Sequence, residues 1–165
     1  MITFAEVAHG YVVLVKTDEI REGISCLLVE AKRPGIDIQR LQGFGWRGTT
    51  WGNISFHEVE VPVENLIGEE NQALLMLKST VQEQRALTGL IALGTAKEAL
   101  EEAVTYAKTR KVFGKYLGQF EGIQFRLAED FTSLEAARLV CYKALDLIDH
   151  QAEGASVWAA MANLL

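Results

Sequence analysis

Residues 110–129 read RKVFGKYLGQFEGIQFRLAE, and this stretch indicates more about the chain than any other. We expect a helix to end in the basic turn at Arg110 and to break at Gly114, before a second helix begins. The turn places a guanidinium and an ammonium group at a helix end, beside the ring of Phe113. Arginine can hold phosphate oxygens in a bidentate fork, so the turn suits a phosphate-bearing ligand. The alternative is a basic turn that only complements the helix dipole.

The composition of the chain narrows its class. It has 165 residues, 49% hydrophobic and 23% charged, as globular domains have. This length predicts one domain or two small ones. The net charge of −6 argues against a nucleic-acid-binding protein, which needs a basic surface. No apolar run approaches the roughly 20 residues of a membrane span, and the first residues show no targeting segment.

Cysteines and histidines give no sign of a metal site or a disulfide. Cys26 and Cys141 lie far apart in the sequence, and we expect both to be buried thiols in a reducing compartment. His9, His57 and His150 have no partner at a metal-ligand spacing. No metal is therefore predicted.

The first 65 residues are predicted to form a partial antiparallel β unit. Three segments have the pattern of strands, namely 11–16, 24–30 and 53–61. Turn-forming residues occupy 18–23 and 32–35. Three strands are too few to close a barrel or a sandwich.

From residue 66 onwards the pattern is helical. A proline-free helix from Gln72 to Arg110 would be roughly 60 Å long, and Gly89 and Gly94 would weaken or bend it. The second helix has apolar residues at spacings of three and four: Phe120, Ile123, Leu127, Phe131, Leu134, Ala137, Cys141, Leu145 and Ile148. A third helix is expected to begin near Ala155. The predicted fold is α+β, a partial β unit followed by an up-down helix bundle.

Several motifs occur in an order that resembles the acyl-CoA dehydrogenase family. In that family an arginine, two variable positions and Phe-Gly-Lys precede a helix that opens with Phe-Gln; here they correspond to Arg110, Phe113 and Phe120. Four further segments resemble family motifs: 1–3 the end of the Trp-Ile-Thr flavin segment, 23–35 a strand pair, 45–49 the Gly-x-Arg-Gly-Ser turn, and 56–68 the junction before the helices.

The resemblance implies a piece of a longer protein. Family members are more than twice as long, so we expect a fragment, a split subunit or a degenerate form. Residues 1–65 would be the second half of the middle β domain. Residues 66–165 would be most of the C-terminal four-helix-bundle domain, without its last helices.

The resemblance also implies FAD as the cofactor and names its contacts. Thr3 would hydrogen-bond near flavin N5, and Arg110 would contact the FAD pyrophosphate of a neighbouring subunit. The family often has Thr or Gln at the position of Val112, and Gln at that of Glu121. The expected FAD contacts are Ile2, Thr3, Arg110, Val112, Phe113, Phe120 and Glu121.

By resemblance, the substrate is an acyl-CoA thioester, bound through Gln82, Glu83, Gln84 and Arg85. An arginine in an apolar-flanked helix needs a partner, either the ligand or a carboxylate such as Glu83 or Glu98. Some family branches carry the catalytic base at the position of Gln84, which cannot accept a proton. Glu83 is a weaker candidate because one residue turns a helix by about 100°. We therefore expect the base beyond Leu165.

The implied reaction is α,β-dehydrogenation of the acyl-CoA. An electron-transfer partner would reoxidise the flavin, and the chain would form a homo-oligomer or bind a chain carrying the missing parts. The location would be the cytoplasm of a bacterium or the mitochondrial matrix of a eukaryote. The alternatives are a non-catalytic scaffold or interaction subunit that keeps the helical fold, and one half of a split enzyme.

Overall fold

The computed structural model describes residues 1–18, 23–46 and 48–164, apart from the side chain of Ser79. The predicted turns at 18–23 and 45–49 therefore lie partly outside the described residues, as does Leu165. Contacts divide the chain into two units, Met1–Leu77 and Lys78–Leu165. The boundary expected between residues 65 and 66 stays a prediction.

The first unit contains two antiparallel sheets of three strands each. One has the order β1-β5-β4, with β1 at Ile2–Thr3, β4 at Ile36–Leu41 and β5 at Trp51–Phe56. The other has the order β2-β3-β6, with β2 at Gly10–Lys16, β3 at Ile24–Glu30 and β6 at Leu66–Ile67. A short 3-10 helix, Val63–Asn65, precedes β6.

The predicted strands at 11–16 and 24–30 are confirmed, but two details of the sheet differ from the prediction. Strand β4 was not predicted, because its residues are half-buried or exposed and show no buried face. Strand β5 ends at Phe56 rather than at residue 61. Glu58 follows with a φ of 49°, which is incompatible with an extended strand.

A buried hydroxyl connects β3 to the segment before the first long helix. Ser25 is fully buried, and its Oγ lies 2.6 Å from Oγ1 of Thr17. The main-chain N–H of Asn71 donates to Ser25 Oγ over 2.8 Å, and Thr17 donates to Oδ1 of Asn71 over 2.6 Å. These hydrogen bonds satisfy the Ser25 hydroxyl, so its burial is not penalised.

The helices are α1 at Ala73–Thr109, α2 at Glu121–Asp149 and α3 at Ala155–Leu164. Between α1 and α2, β7 (Lys111–Val112) and β8 (Lys115–Tyr116) form a hairpin, followed by a 3-10 turn at Leu117–Gln119. The α+β class and the expected order, strands before helices, are confirmed. No helix in the described part of the chain is both long and apolar enough to cross a membrane.

The first long helix ends at Thr109, one residue before the predicted end at Arg110. The basic segment that follows is a hairpin, so the prediction that the helix breaks at Gly114 is wrong. Its two loop residues, Phe113 and Gly114, have φ values of 51° and 79°. Two positive φ values make the two-residue turn that matches the natural twist of a hairpin. The prediction that every strand lies in the first part of the chain is wrong for the same reason.

The core of the second unit lies at one end of the helices. Ala86, Cys141, Ala144 and Ala162 are fully buried, and burial raises the pKa of the Cys141 thiol. In the apolar stripe of α2, Ala137 and Cys141 are buried and Leu145 and Ile148 are half-buried, whereas the members before Ala137 are exposed or half-buried. Helix α3 has 10 residues and α2 has 29, so α3 covers only roughly 15 Å of it.

Candidate functional site

The backbone of Arg110 is held from both sides. Its N–H donates to the Tyr106 carbonyl over 2.9 Å, and its own carbonyl accepts from the Leu117 N–H over 2.9 Å. The side chain is exposed, and it forms no ion pair with any described residue. These two hydrogen bonds fix the backbone position of Arg110. The N–H donors of its guanidinium group remain open to a ligand.

An aromatic ring stands at the tip of the hairpin. The side chain of Phe113 is 93% exposed, and its φ of 51° is unfavourable for an aromatic residue. At the base of the hairpin, Nζ of Lys111 lies 4.7 Å from the ring centroid of Tyr116, a cation–π contact. An exposed ring on a strained backbone beside cations suggests a binding role more than a folding role.

The neighbouring residues support the hairpin. Val112 is half-buried and pairs with Lys115. Phe120 is half-buried at the start of α2, where its carbonyl accepts from two helical N–H groups. Glu121 is exposed in the first turn of α2, where a negative charge complements the helix dipole. The dipole gives a structural reason for this acidic residue.

Two hydrogen bonds that were not predicted from the sequence join the hairpin to the 3-10 turn, and that turn to α2. The Tyr116 N–H donates to Oε1 of Gln119 over 2.9 Å. Nε2 of Gln124 donates to the Gly118 carbonyl over 2.7 Å. A glutamine three residues after a helix-entry position is a capping signal that could have revealed the first of these bonds.

Ile2 and Thr3 lie at the edge of a sheet. Strand β1 pairs with β5 through Ile2 with Gly52 and Thr3 with Trp51. Because β1 is the outer strand in the order β1-β5-β4, its other edge keeps main-chain groups unpaired by the sheet. Both residues are exposed, so this edge can present N–H and C=O groups to a ligand.

The four residues expected to contact CoA lie on different sides of α1. Gln82 is half-buried, one turn before the buried Ala86, whereas Glu83, Gln84 and Arg85 are exposed. Two residues turn a helix by about 200°, so Glu83 and Arg85 point to opposite sides. The Glu83 carboxylate therefore points away from a ligand that Arg85 binds.

Arg85 does not have the carboxylate partner that the sequence left open. Within the described residues it pairs with neither Glu83 nor Glu98. Arg85 is exposed, so water solvates its charge and the side chain needs no carboxylate partner.

The structure brings some of the predicted residues together. Arg110, Val112 and Phe113 lie in one hairpin, and Phe120 and Glu121 open the helix that follows it. Ile2 and Thr3 lie in the first unit, and residues 82–85 lie on α1. A cleft of about 560 Å³ at the loop that joins β4 to β5 is lined by none of the predicted site residues. No described cluster of His, Cys, Asp or Glu could hold a metal ion.

The chemistry of these groups fits FAD. An unpaired guanidinium suits the pyrophosphate, and an exposed ring offers a surface for stacking. The open edge of β1 offers hydrogen-bonding groups to the polar edge of a flavin ring. Arg110 and Phe113 in the second unit, and Ile2 and Thr3 in the first, are each candidates for a contact of this kind.

Comparison with known proteins identifies the family. The family model described as "Acyl-CoA dehydrogenase, C-terminal domain" matches residues 74–165. The caffeyl-CoA reductase-Etf complex subunit CarC of Acetobacterium woodii is 35% identical over 165 residues, 98% of this chain and 43% of that protein. The mitochondrial short-chain specific acyl-CoA dehydrogenase of Sus scrofa is 34% identical over 166 residues, 99% of this chain and 40% of that protein.

A solved structure shows the same architecture. Butyryl-CoA dehydrogenase from Megasphaera elsdenii matches with a TM-score of 0.90 and 33% identity, over 97% of this chain and 42% of that chain. The chain thus spans less than half the length of these relatives. The family model matches more than half of the chain, and the fold agrees with it, so this chain belongs to the acyl-CoA dehydrogenase family.

Proposed function

We propose that this chain supplies part of the flavin and CoA sites of an FAD-dependent enzyme that introduces an α,β double bond into an acyl-CoA thioester. The observation that carries this proposal is the hairpin at residues 111–116, next to an unpaired Arg110 and tipped by an exposed Phe113. Two of the relatives are named for acyl-CoA dehydrogenation, which supports the reaction class.

FAD would supply the two-electron acceptor for the β-hydrogen of the substrate. Arg110 would hold pyrophosphate oxygens in a bidentate fork, with its backbone already fixed by the Tyr106 and Leu117 hydrogen bonds. Phe113 would cover an apolar part of the cofactor and exclude water from it. Thr3 would donate a hydrogen bond to the flavin from the edge of β1.

The CoA contacts would come from α1. Arg85 is exposed and unpaired within the described residues, so its guanidinium is open to a phosphate of CoA. Removal of the α-proton needs a carboxylate, and Gln84 cannot accept a proton. Because Glu83 points away from the side of Arg85, the base would come from outside residues 1–165.

Partners follow from the same proposal. One relative belongs by name to a complex with Etf, which supports an electron-transfer protein as the oxidant of the flavin. A homo-oligomer would let Arg110 reach the FAD of a neighbouring subunit. The mitochondrial names of several relatives favour the matrix if the source is a eukaryote, and the cytoplasm is expected in a bacterium.

The test is FAD affinity, measured by fluorescence titration of the purified chain. Arg110→Gln should weaken FAD binding by about tenfold or more, because a charge-assisted contact is lost. The matched control is Arg126→Gln, which removes an exposed arginine paired with Asp130 on α2 and should leave the affinity unchanged. Equal effects of the two variants, or no FAD binding by the wild-type chain, would overturn the proposal.

A second candidate is the reverse reaction, reduction of an unsaturated acyl-CoA. The relative named as a caffeyl-CoA reductase subunit favours it. Reduction adds a hydride to the β-carbon and a proton to the α-carbon, so it needs a proton donor where dehydrogenation needs the base. Reoxidation of the dithionite-reduced, FAD-loaded chain by crotonyl-CoA would support this candidate and would contradict the placement of that group outside residues 1–165. Two further alternatives are a scaffold without chemistry and one half of a split enzyme. Gln84 favours the scaffold, which would be supported by a chain that folds but binds no FAD.

A further inference from the structure

Tyr11 connects the two sheets of the first unit close to Thr3. It lies on β2, and its hydroxyl donates to the main-chain oxygen of Ala5 over 2.7 Å. Its ring meets the ring of Phe56 on β5 edge-on, with centroids 6.3 Å apart. Tyr11 is 7% exposed and Ala5 is 0% exposed, so water does not compete for this hydrogen bond.

The strand that presents Thr3 is short and leads into a tight turn, in which the Phe4 carbonyl accepts from the N–H groups of Val7 and Ala8. Strand β1 has only two residues and lies at a sheet edge. The chain then turns at Phe4 with a φ of 58°, an unfavourable conformation for a residue other than glycine. The Phe4 N–H donates to the Thr50 carbonyl over 2.7 Å. Such a turn persists only where surrounding contacts hold it. The hydrogen bond from the Tyr11 hydroxyl to Ala5, the residue after Phe4, is one such contact.

Ala5 is confined from the opposite side by β5. A Cβ placed on Gly52 would lie 2.9 Å from Cβ of Ala5, closer than carbon atoms tolerate. Ala5 therefore packs directly on the backbone of β5, at the residue that pairs with Ile2. Tyr11 holds the carbonyl of Ala5 while Gly52 makes room for its methyl group.

We propose that Tyr11 is a positioning residue for Thr3. It anchors the turn after β1, and so fixes the strand edge that meets the flavin, without touching the flavin itself. This inference rests on the proposed function, in which Thr3 hydrogen-bonds to the flavin.

The first test needs no flavin. Tyr11→Phe removes the hydroxyl and keeps the ring against Phe56. Hydrogen exchange of the Phe4 amide should become about tenfold faster, the effect of losing one buried hydrogen bond. The matched control is Ser25→Ala, which removes another buried hydroxyl of the same unit and should leave this amide unchanged.

A second variant distinguishes the effect of the Tyr11 hydroxyl from that of its ring. Phe56→Leu removes the edge-on ring contact and leaves the Tyr11 hydrogen bond in place, so exchange of the Phe4 amide should stay within about twofold of wild type. An unchanged exchange rate in Tyr11→Phe would overturn the inference. Equal acceleration by Tyr11→Phe and Ser25→Ala would also overturn it, since both would then act only through general stability.

The flavin readout distinguishes this inference from the proposed function. Tyr11→Phe should raise the Kd for FAD about fivefold and shift the bound-flavin absorption towards that of free FAD, as one weakened hydrogen bond would. Ser25→Ala should change neither. Unchanged affinity and spectrum in Tyr11→Phe would overturn the inference while the proposed function stands. If wild type binds no FAD, the proposed function and the flavin role of Tyr11 both fall, and exchange rates still decide whether Tyr11 anchors β1.

Discussion

The described arginines of this chain fall into two groups, those that form an ion pair with a carboxylate and those that do not. Within the described residues, four arginines have a carboxylate partner: Arg33, Arg40, Arg126 and Arg138. The two without an ion pair in that part of the chain are Arg85 and Arg110. These are the two that the family resemblance assigns to CoA and FAD, which supports a ligand role for both.

Arg85 and Glu83 give a matched pair on one helix. Arg85→Gln should weaken binding of CoA about tenfold, because it removes a charge-assisted phosphate contact. Glu83→Gln should change it by less than about twofold, because Glu83 points to the other side of α1. Isothermal titration of both variants with CoA measures this, and similar losses for the two would contradict the assignment.

Glu30 should make the stability of the first unit depend on pH. Its pKa is lowered from 4.5 to about 2, chiefly by the hydrogen bond from Arg33 and then by its own backbone N–H and by Asn65. Because the folded pKa lies below the ordinary one, folding favours the ionised carboxylate. The stabilisation is complete above pH 4.5 and is lost as the pH falls towards 2.

Thermal unfolding of Glu30→Gln across this pH range measures that contribution. The melting temperature of the variant should lie below that of wild type at neutral pH, and the two should converge near the acid end. Glu102→Gln, an exposed change on α1, is the control and should show no such convergence. A constant difference at all pH values would show that the Glu30 carboxylate has no such role.

At the level of helices and strands, the sequence was most informative where many residues repeat a pattern. The stripe of α2 predicted its helix because nine apolar residues agree on one face. The hairpin β7–β8 was missed because strands of two residues carry no periodicity, and its turn is recognisable only from Gly114. Strand β4 was missed because neither of its faces is buried.

Two glycines of α1 should respond to alanine with opposite signs. A Cβ on Gly89 would lie 2.3 Å from the Ala162 carbonyl oxygen and 2.9 Å from Sγ of Cys141, so α1 and α3 would have to separate. Gly89→Ala should therefore destabilise the chain by about 1–3 kcal/mol. Gly94 has nothing within 4 Å of that position, so Gly94→Ala should stabilise by up to about 1 kcal/mol through helix propensity.

Urea unfolding of the two variants measures both changes on one scale. The comparison is internal, because both substitutions add one methyl group to the same helix. If Gly89→Ala proved as stable as Gly94→Ala, the close approach of α1 to α3 would be wrong.

At the scale of the whole chain, many large apolar side chains are exposed on the surface. On α2, Phe125 is 63%, Phe131 58% and Leu139 64% exposed. Faces of this kind on a folded protein mark contact with another chain. We expect association in solution, in line with the proposal that Arg110 contacts the FAD of a neighbouring subunit.

Light scattering across a range of concentrations tests this expectation. The mass should exceed the 18.3 kDa of one chain. Phe131→Glu should lower it by placing a charge in the contact, whereas Val63→Glu, at an isolated residue 84% exposed, should not. A monodisperse monomer for wild type would contradict the expectation.

The family and the fold class could be read from the sequence because ordered motifs span nearly all of the chain. The site could be read only in part. Motifs name Arg85, Arg110 and Thr3, but the unpaired state of the two arginines depends on where every carboxylate lies after folding. The Tyr11–Ala5 hydrogen bond links β2 of one sheet to the turn after β1 of the other. No local sequence pattern predicts such a contact.

The most direct test of a flavin-dependent enzyme is the visible absorption spectrum of the purified chain, recorded anaerobically with and without added FAD. The proposed function predicts a bound-flavin band that differs from that of free FAD. Because Gln84 cannot accept a proton and Glu83 points away from the side of Arg85, butyryl-CoA should perturb this band without bleaching it. Bleaching would mean that a base lies within the chain, with Glu83 the first residue to change. A chain that folds and yet shows no bound flavin at any FAD concentration would contradict the account.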